Sequence, residues 1–444
     1  MIRTGNEYKE SLRDERKVWI DGERVKDLST HPAFKPIIDI RARMYDMAHE
    51  EQYQQQLTYQ DDETGELNTV YHKPPHTRED WYEKDVALDA LMQDIGGIVI
   101  RVSDETVGEM WSLFDGQDVL NEVDPQFAKN IERHIIKTTR EDPFHVSANT
   151  DPKGDRSRLP QEQDPDMLLH VVKETDAGIV VRGAKFETAA AYSNQAFVKP
   201  TIGGWAGNEK LSDYAVSFIC EMGAPGLKHI CRTGFAGNSS IEDYPHRYSA
   251  YPFVLRIRYM ADMMIGAALF NARQTGLDKN QAVREKLAML ACYREGINAH
   301  LTASIALAEK SPGGLLMPNQ SLLFTGRVHA CTRLPEMMHL ARELCGGQIC
   351  VTPNHAAFQD PESGHWLEKF YNVNENWVAD DRRKLLSFAR DLLNSDYAGH
   401  RLTFQLFAQS PPFNHLNAVY NNFDFSGPLD FVRNAAGLSE NVMK

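Results

Sequence analysis

Cysteine is scarce and badly spaced for cross-linking. Cys220, Cys231, Cys292, Cys331, Cys345 and Cys350 are the only six among 444 residues, and no two form a CxxC pair. A disulfide framework and a zinc module are therefore not expected, because both need cysteines in close, paired spacing. Long hydrophobic runs are missing too. The stretch Met263 to Phe270 reaches eight residues, whereas a helix needs about 20 to cross a bilayer. The opening MIRTGNEYKESLRDER is polar and charged, unlike a secretion signal. Positive charge is in deficit, with 48 Lys and Arg against 62 Asp and Glu and a net charge of −14. Nucleic acid and anionic membrane surfaces are poor partners for such a chain, because both attract cations. The expectation is a reduced, soluble, cytoplasmic protein. GxGxxG after a strand, GxxxxGK[ST], HExxH and GxSxG are also absent. Their absence argues against a Rossmann nicotinamide site, a P-loop, a zinc protease and a serine hydrolase.

What is present is an ordinary globular composition, 42% hydrophobic and 25% charged, long enough for two or three domains and a buried ligand pocket. Three zones differ in period. Residues 1–139 read as mainly helical, with apolar positions at Val86, Leu88, Leu91 and Met92 and at Val107, Met110, Trp111 and Phe114 near three-to-four spacing. A polar stretch, Tyr59 to Arg78, reads as a surface loop. Residues 140–248 become strand-like. Leu168 to Val172, a Thr-Asp-Ala-Gly turn and Ile179 to Val181 read as a hairpin, with further strands at Tyr214 to Cys220 and Leu227 to Cys231. From 249 to 444 helices return at Arg256–Arg273, Gln281–Glu309, Gln320–Cys345 and Asp380–Leu393. Val283, Leu287, Leu290, Ile297, Leu301 and Ile305 would share one face of the second.

Several segments could carry chemistry. Phe144 to Arg156 enters the β zone through hydrogen-bonding residues. His145, Asn149 and Thr150 could meet a planar polar ligand, and the amides around Gly154 an anion. The same segment also reads as an Asx/Pro turn between domains. Arg101, beside the apolar run Gly96 to Ile100, could hold a phenolate or carboxylate, or pair locally with Asp104 or Glu105. Gly346 and Gly347 permit close approach of a ligand or subunit, or simply cap a helix. Met260, Met263 and Met264 read as core, and Asp380 to Arg383 as a solvated helix start.

Thr4-Gly-x-x-Tyr8-x-x-Ser11-Leu12, Val18-Trp-Ile-Asp-Gly-Glu-Arg-Val25 and Thr30-His-Pro-Ala-Phe34 closely resemble the opening of the 4-hydroxyphenylacetate 3-monooxygenase oxygenase family. Lys173 to Ile179 with Gly183-Ala-Lys185, Ser311 to Gly314 and Leu344 to Gln348 extend the resemblance over nearly the whole chain. The resemblance implies an α+β, acyl-CoA-dehydrogenase-like fold: a helical domain, a central antiparallel β domain and a C-terminal four-helix bundle, associating as a dimer or tetramer. It implies a reduced-FAD-dependent monooxygenase that hydroxylates a small phenol through a flavin C4a-hydroperoxide formed with O2. A separate NAD(P)H:flavin reductase supplies the FADH2. Such a site must be dry and must favour the nucleophilic phenolate, hence a cation near the hydroxyl.

By the same resemblance, Arg101, Glu105 and His145 would meet the substrate. The cofactor would be met by His145, the loop Asn149, Thr150, Asp151, Lys153, Asp155 and Arg156, and by Thr188, Ala189 and Arg256. Gly346, Gly347 and the segment Gln409, Ser410, Pro411, Pro412 complete that set. Glu105 stands where the family has a tyrosine, and a carboxylate there disfavours an anionic substrate tail. Beyond Gly237 the chain runs through Tyr244 to Arg247 almost directly into a helix, so the β domain is expected to be shortened. Two alternatives follow: an altered or inactive homologue kept as a binding scaffold, and a related flavin and iron–sulfur hydroxyacyl-CoA dehydratase. The dehydratase needs cysteine ligands, and none occurs before Cys220.

Overall fold

The structure is a computed structural model that describes all residues except 1, 63, 97–103, 153, 155–157, 177, 188, 201–208, 210, 232–246, 312, 374–375, 408–411 and 440–444. For 104–106, 247–249, 407 and 412 it describes the backbone. The opening motif is a helix start. Thr4 and Glu7 form a reciprocal capping box at α1 (Gly5–Ser11), satisfying amides that a first turn leaves unpaired. Gly5 is required by a close crossing, since a Cβ there would lie 2.5 Å from the carbonyl oxygen of Ala42. Tyr8 is fully buried and donates its hydroxyl to the carbonyl of Tyr192 at 2.7 Å. The motif thus ties the N-terminus to the β zone.

After α1 come β1 (Lys17–Ile20), β2 (Glu23–Val25), α2 (Lys35–Met47), α3 (Glu51–Leu57), β3 (Thr58–Gln60), β4 (Leu67–Thr69) and α4 (Arg78–Asp94). Then follow α5 (Asp104–Asp115), α6 (Gln117–Val123) and α7 (Pro125–Glu141). The stretch read as a surface loop is instead the β3–β4 hairpin and a buried 3-10 turn, Val70–His72. Lys84 of α4 donates to the carbonyls of Val70 and Tyr71 at 2.7 and 3.1 Å, which lets that turn sit inside.

The β zone holds β5 (His145–Ala148), β6 (His170–Thr175), β7 (Gly178–Arg182), β8 (Gln195–Val198), β9 (Phe218–Glu221) and β10 (Lys228–Cys231). The β6–β7 hairpin falls where the Thr-Asp-Ala-Gly turn put it. The strand expected from Tyr214 begins only at Phe218, after a 3-10 turn at Ser212–Tyr214. The sheets are mixed rather than purely antiparallel. β5 pairs with β8 in parallel, β8 with β9 antiparallel, and β10 with β1 in parallel. Parallel pairing requires a long crossover, and the hairpin with its flanking loops provides it between β5 and β8. The β1–β10 pair also brings an N-terminal strand into the β zone.

The C-terminal half comprises α8 (Arg247–Gln274), α9 (Gln281–Ala306), β11 (Glu309–Lys310), β12 (Leu316–Met317) and α10 (Gln320–Cys345). The short α11 (Gln348–Val351) and α12 (His355–Phe358) lead to α13 (Gly364–Tyr371) and α14 (Ala379–Leu393). The chain then forms α15 (Asp396–Phe407), α16 (Pro412–Asn422) and α17 (Ser426–Ala436). Helices α8, α9, α10 and α14 form the bundle. Leu290, Ile297, Leu301 and Ile305 are buried on one face of α9, with Val283 and Leu287 packed at its edge. Met260 and Met264 are fully buried core. At the start of α14, Asp380 and Asp381 are exposed, but Arg382 is buried and donates to Gln348 at 2.6 Å. Among the described residues, no helix is long and apolar enough to cross a membrane.

Candidate active site

The alternation of β5 decides where its chemistry faces. Val146 and Ala148 enter the core shared with α1 and α2, so His145 and Ser147 project to the other side. Neighbouring strands repeat the pattern in register. His145 pairs with Gln195 and Gln195 with Glu221; Ser147 pairs with Phe197 and Phe197 with Ile219. This polar sheet face is covered by α5 and α7. On α7 His134 and Thr138 lie one turn apart and both reach His145, while Lys137 reaches Glu221 at 2.8 Å. On α5 Glu109 accepts a hydrogen bond from the Ser147 hydroxyl at 2.7 Å and pairs with Lys199 at 3.1 Å.

Burying this many polar groups is costly unless they are satisfied. Most are. The Ser147 hydroxyl also lies 2.7 Å from Asn149 Oδ1, and Gln195 donates to Glu221 at 2.5 Å. Thr138 Oγ1 lies 3.2 Å from His145 Nε2 and 3.3 Å from His134 Nε2. His145 Nδ1 and Gln195 Oε1 are buried without a hydrogen-bond partner among the described residues, as are His72 Nε2 and Asp142 Oδ2 nearby. His145 is 1% exposed. Burial, reinforced by the positive charges available to His134, His72 and Lys137, drives its pKa well below the ordinary imidazole value. The ring is neutral at pH 7, with one nitrogen held by Thr138 and the other without a partner among the described residues.

A second buried pair lies nearby. His72 Nδ1 is 3.6 Å from Asp142 Oδ1, in the left-handed residue that ends α7. Burial pushes the Asp142 carboxyl up to about 7 and lowers His72 to about 3. His72 is therefore a neutral ring packed behind His145.

The residues singled out in the sequence distribute as follows. Asn149, Thr150 and Asp151 continue directly from β5 and are buried with it. The Thr150 carbonyl accepts from the amide of Phe186 at 2.7 Å, so the segment preceding Ala189 lies alongside. Ala189 is not in a strand; it takes a left-handed conformation (φ 75°) that starts a 3-10 turn. Asp151 pairs with the half-buried Lys185 at 2.7 Å, which makes it a strut of the loop. Burial outweighs that carboxylate and lowers the Lys185 pKa. Glu105 lies in the first turn of α5, one turn before Glu109, so α5 is fastened to β5 close to it. Arg101, Lys153, Asp155, Arg156, Thr188, Gln409, Ser410 and Pro411 lie outside the described residues.

Arg256 belongs to a different cluster. It is buried in α8, its guanidinium 5.1 Å from the Phe253 ring and 5.7 Å from Phe404 of α15; Arg327 of α10 sits 4.1 Å from the same Phe253 ring. Pro412 opens α16, which packs on α10 with His415 beside Phe324, one turn before Arg327. The arginines and the start of α16 therefore share one end of the bundle. Gly346 and Gly347 sit at the other end of α10, about 28 Å along the helix from Arg327 at 1.5 Å per residue. They are exposed, and a Cβ at either would meet open space. α5 touches both β5 and α8, linking the sheet face to the bundle.

Sequence reasoning missed Glu109, His134, Thr138, Lys185, Gln195 and Lys199. One signal was available: His145-x-Ser147-x-Asn149 alternates polar residues at period two inside an apolar strand, marking a buried polar face.

Comparison with known proteins follows this architecture. The model of the 4-hydroxyphenylacetate 3-hydroxylase N-terminal region matches residues 4–251, and that of the C-terminal region matches 244–437. The 4-hydroxyphenylacetate 3-monooxygenase oxygenase component of Thermus thermophilus is 26% identical, over 96% of this chain and 95% of its own. The 4-hydroxybutyryl-CoA dehydratase/vinylacetyl-CoA-Δ-isomerase of Clostridium aminobutyricum is also 26% identical, over 93% and 94%. A crystal structure of the oxygenase component of 4-hydroxyphenylacetate 3-monooxygenase, complexed with FAD and 4-hydroxyphenylacetate, superposes with a TM-score of 0.88 at 24% identity, covering 100% of both chains. That likeness gives the fold, the expected acyl-CoA-dehydrogenase-like arrangement. With both family regions matched end to end, the chain belongs to the 4-hydroxyphenylacetate 3-hydroxylase family.

Proposed function

We propose that this protein is the oxygenase of a two-component system that hydroxylates a small phenol, using O2 and FADH2 from a separate NAD(P)H:flavin reductase in the cytoplasm. The observation that carries the reading is His145: a neutral, buried imidazole with Nε2 held by Thr138 and Nδ1 without a partner among the described residues, on a buried polar sheet face. An orphaned polar atom in such a place calls for a ligand.

In this reading, His145 Nδ1 accepts the hydrogen of the phenol, and the Arg101 guanidinium favours the phenolate, the form in which the ring carbon is nucleophilic. The covering helices α5 and α7 keep water from the reacting atoms. Asn149 to Arg156, Thr188, Ala189, Arg256 and Gln409 to Pro412 would hold FAD. Reduced FAD, when bound, supplies the two electrons with which O2 delivers one oxygen atom to the ring. Glu105 repels an anionic tail, so uncharged phenols are preferred to 4-hydroxyphenylacetate. Arg101→Ala should lower hydroxylated product per FADH2 oxidised and raise hydrogen peroxide correspondingly. Unchanged coupling in that variant would remove Arg101 from the site.

The chain works as an oligomer in this proposal. Helices α16 and α17 expose Phe413, Leu416, Tyr420, Phe431 and Val432, Phe431 at 76%, an apolar area that a monomer seldom leaves open. A second copy would cover it and could bring Gly346 and Gly347 to its neighbour's cofactor. Light scattering should give a dimer or tetramer, and Phe431→Asp with Tyr420→Asp should shift it toward monomer.

The relationship to the Clostridium dehydratase raises a second reading. The iron–sulfur dehydratase chemistry that the sequence resemblance raised does not fit this donor set. All six cysteines are free thiols on β9, β10, α9, α10 and α11, and among the described residues no three His, Cys, Asp or Glu side chains converge as metal ligands. Failure to bind reduced FAD in an anaerobic titration would instead leave the scaffold reading.

A further inference from the structure

We propose that Thr138 and His134 form the proton exit from His145, carrying the phenol hydrogen from the buried sheet face to solvent. The inference rests on the reading of His145 as the group that meets the phenol, and deepens it. Its basis is geometric. Thr138 Oγ1 sits between His145 Nε2 at 3.2 Å and His134 Nε2 at 3.3 Å, with the two rings edge to face at 5.4 Å. Thr138 is 3% exposed and His145 1%, whereas His134 is only half-buried. The three therefore form a line from the interior outward. Their spacing comes from α7, where positions 134 and 138 stack on one face.

A threonine hydroxyl carries one hydrogen and can accept another. Between two neutral imidazoles it donates to one Nε2 and accepts from the other. In the resting arrangement His145 carries its hydrogen on Nε2 and gives it to Thr138, whose own hydrogen points to the lone pair of His134 Nε2. Nδ1 of His145 then presents a lone pair to the phenol. When the phenol O–H bond breaks, a bond forms at His145 Nδ1. The His145 Nε2 hydrogen moves to Thr138, the Thr138 hydrogen moves to His134 Nε2, and His134 releases its Nδ1 hydrogen to water. One proton enters, one leaves, and no oxidant is involved. Without this exit the proton would remain on a buried imidazole that burial keeps from holding charge.

The charged groups around His145 agree with an outward direction. α7 supplies His134 and Lys137, the Val70–His72 turn supplies His72, α5 supplies Glu109, and the sheet supplies Glu221 beside Gln195, with Lys199 on Glu109. The cation of Lys137 is paired with Glu221. Glu221 in turn is the one group that favours the charged form of His134, against burial and Lys137. The carboxylate therefore sits where the proton pauses. His134 has its pKa below the ordinary imidazole value, so it is a neutral acceptor at pH 7. Acidification protonates it and closes the exit.

The test is stopped-flow mixing of the full-length protein, loaded with reduced FAD under argon, with 4-nitrophenol, whose phenolate absorbs in the visible. Equilibrium titration first establishes that the probe binds. The wild type should ionise the bound probe quickly at neutral pH and more slowly in acid. Thr138→Val should slow ionisation about 10²-fold, the low end of what positioned acid–base groups contribute, while leaving the affinity for the probe within a factor of about two. Thr138→Ser should restore the rate, and His134→Gln should slow it and abolish its acid dependence. A purely structural role for Thr138 would change affinity or stability and leave that pH dependence in place. Ionisation at the wild-type rate in a Thr138→Val protein that binds the probe overturns the relay and leaves the phenol reading standing. If the wild type does not bind the probe, both fall together. Should Thr138→Val fail to fold, His134→Gln, at a half-exposed position, decides the matter alone.

Discussion

His145→Ala is expected to reduce hydroxylated product by about 10²–10⁴-fold, the range typical of a positioned acid–base group, while FADH2 continues to be oxidised and hydrogen peroxide accumulates. The reasoning follows from the placement of the ring. His145 is held from one side by Thr138, flanked by His134 and His72, and open at Nδ1. In the proposed reading, removing it deletes the acceptor for the phenol hydrogen. His145→Gln keeps a hydrogen-bonding group without imidazole acid–base chemistry. It should retain substrate affinity while losing most of the rate. Measuring catechol-type product and peroxide side by side, per FADH2 consumed, checks both. Equal loss of flavin binding and product in His145→Ala would mean that the residue only supports the fold.

The second large effect concerns stability. Glu109 and Lys199 form a pair at 3.1 Å, with side chains 5% and 15% exposed. Lys199→Met keeps the stem and removes the charge, so the Glu109 carboxylate stays buried with the Ser147 hydroxyl but without that cation. Breaking one side of a buried pair costs about 3–5 kcal/mol, and the denaturation midpoint should fall accordingly. Glu109→Leu combined with Lys199→Met should recover much of the loss, because neither charge is then stranded. If Lys199→Met alone leaves the midpoint unchanged, the carboxylate is adequately held by other groups and the pair does not fasten α5 to the sheet.

Much of the helical architecture was legible in the sequence. The span Gln320–Cys345 is α10 without adjustment, and the apolar stripe of Gln281–Glu309 is the buried face of α9. Periodicity reports which face of a helix is apolar, and a bundle follows almost directly from that. Strand pairing was less legible. Strands near β9 and β10 were legible, but neither β5 nor β8 was read as a strand, and alternation carries no information about whether two strands lie parallel or antiparallel. Residues Val70 to His72 looked like loop because a polar stretch surrounds them. They are buried because Lys84, a turn and a half into α4, caps their carbonyls.

The candidate site divides in the same way. His145 could be nominated from the polar segment Phe144 to Arg156 and from the family resemblance, although that segment did not read as a strand. Glu109, Thr138, Gln195 and Lys199 could not, since each is unremarkable in its own segment and gains meaning only from a partner far along the chain. By itself the sequence determined the family and the helical periods, because those reside in local composition and spacing. Only the tertiary structure decided which side chains meet. It set α5 and α7 over one face of a mixed sheet, where burial makes hydrogen-bond partners obligatory and leaves His145 Nδ1 without one among the described residues.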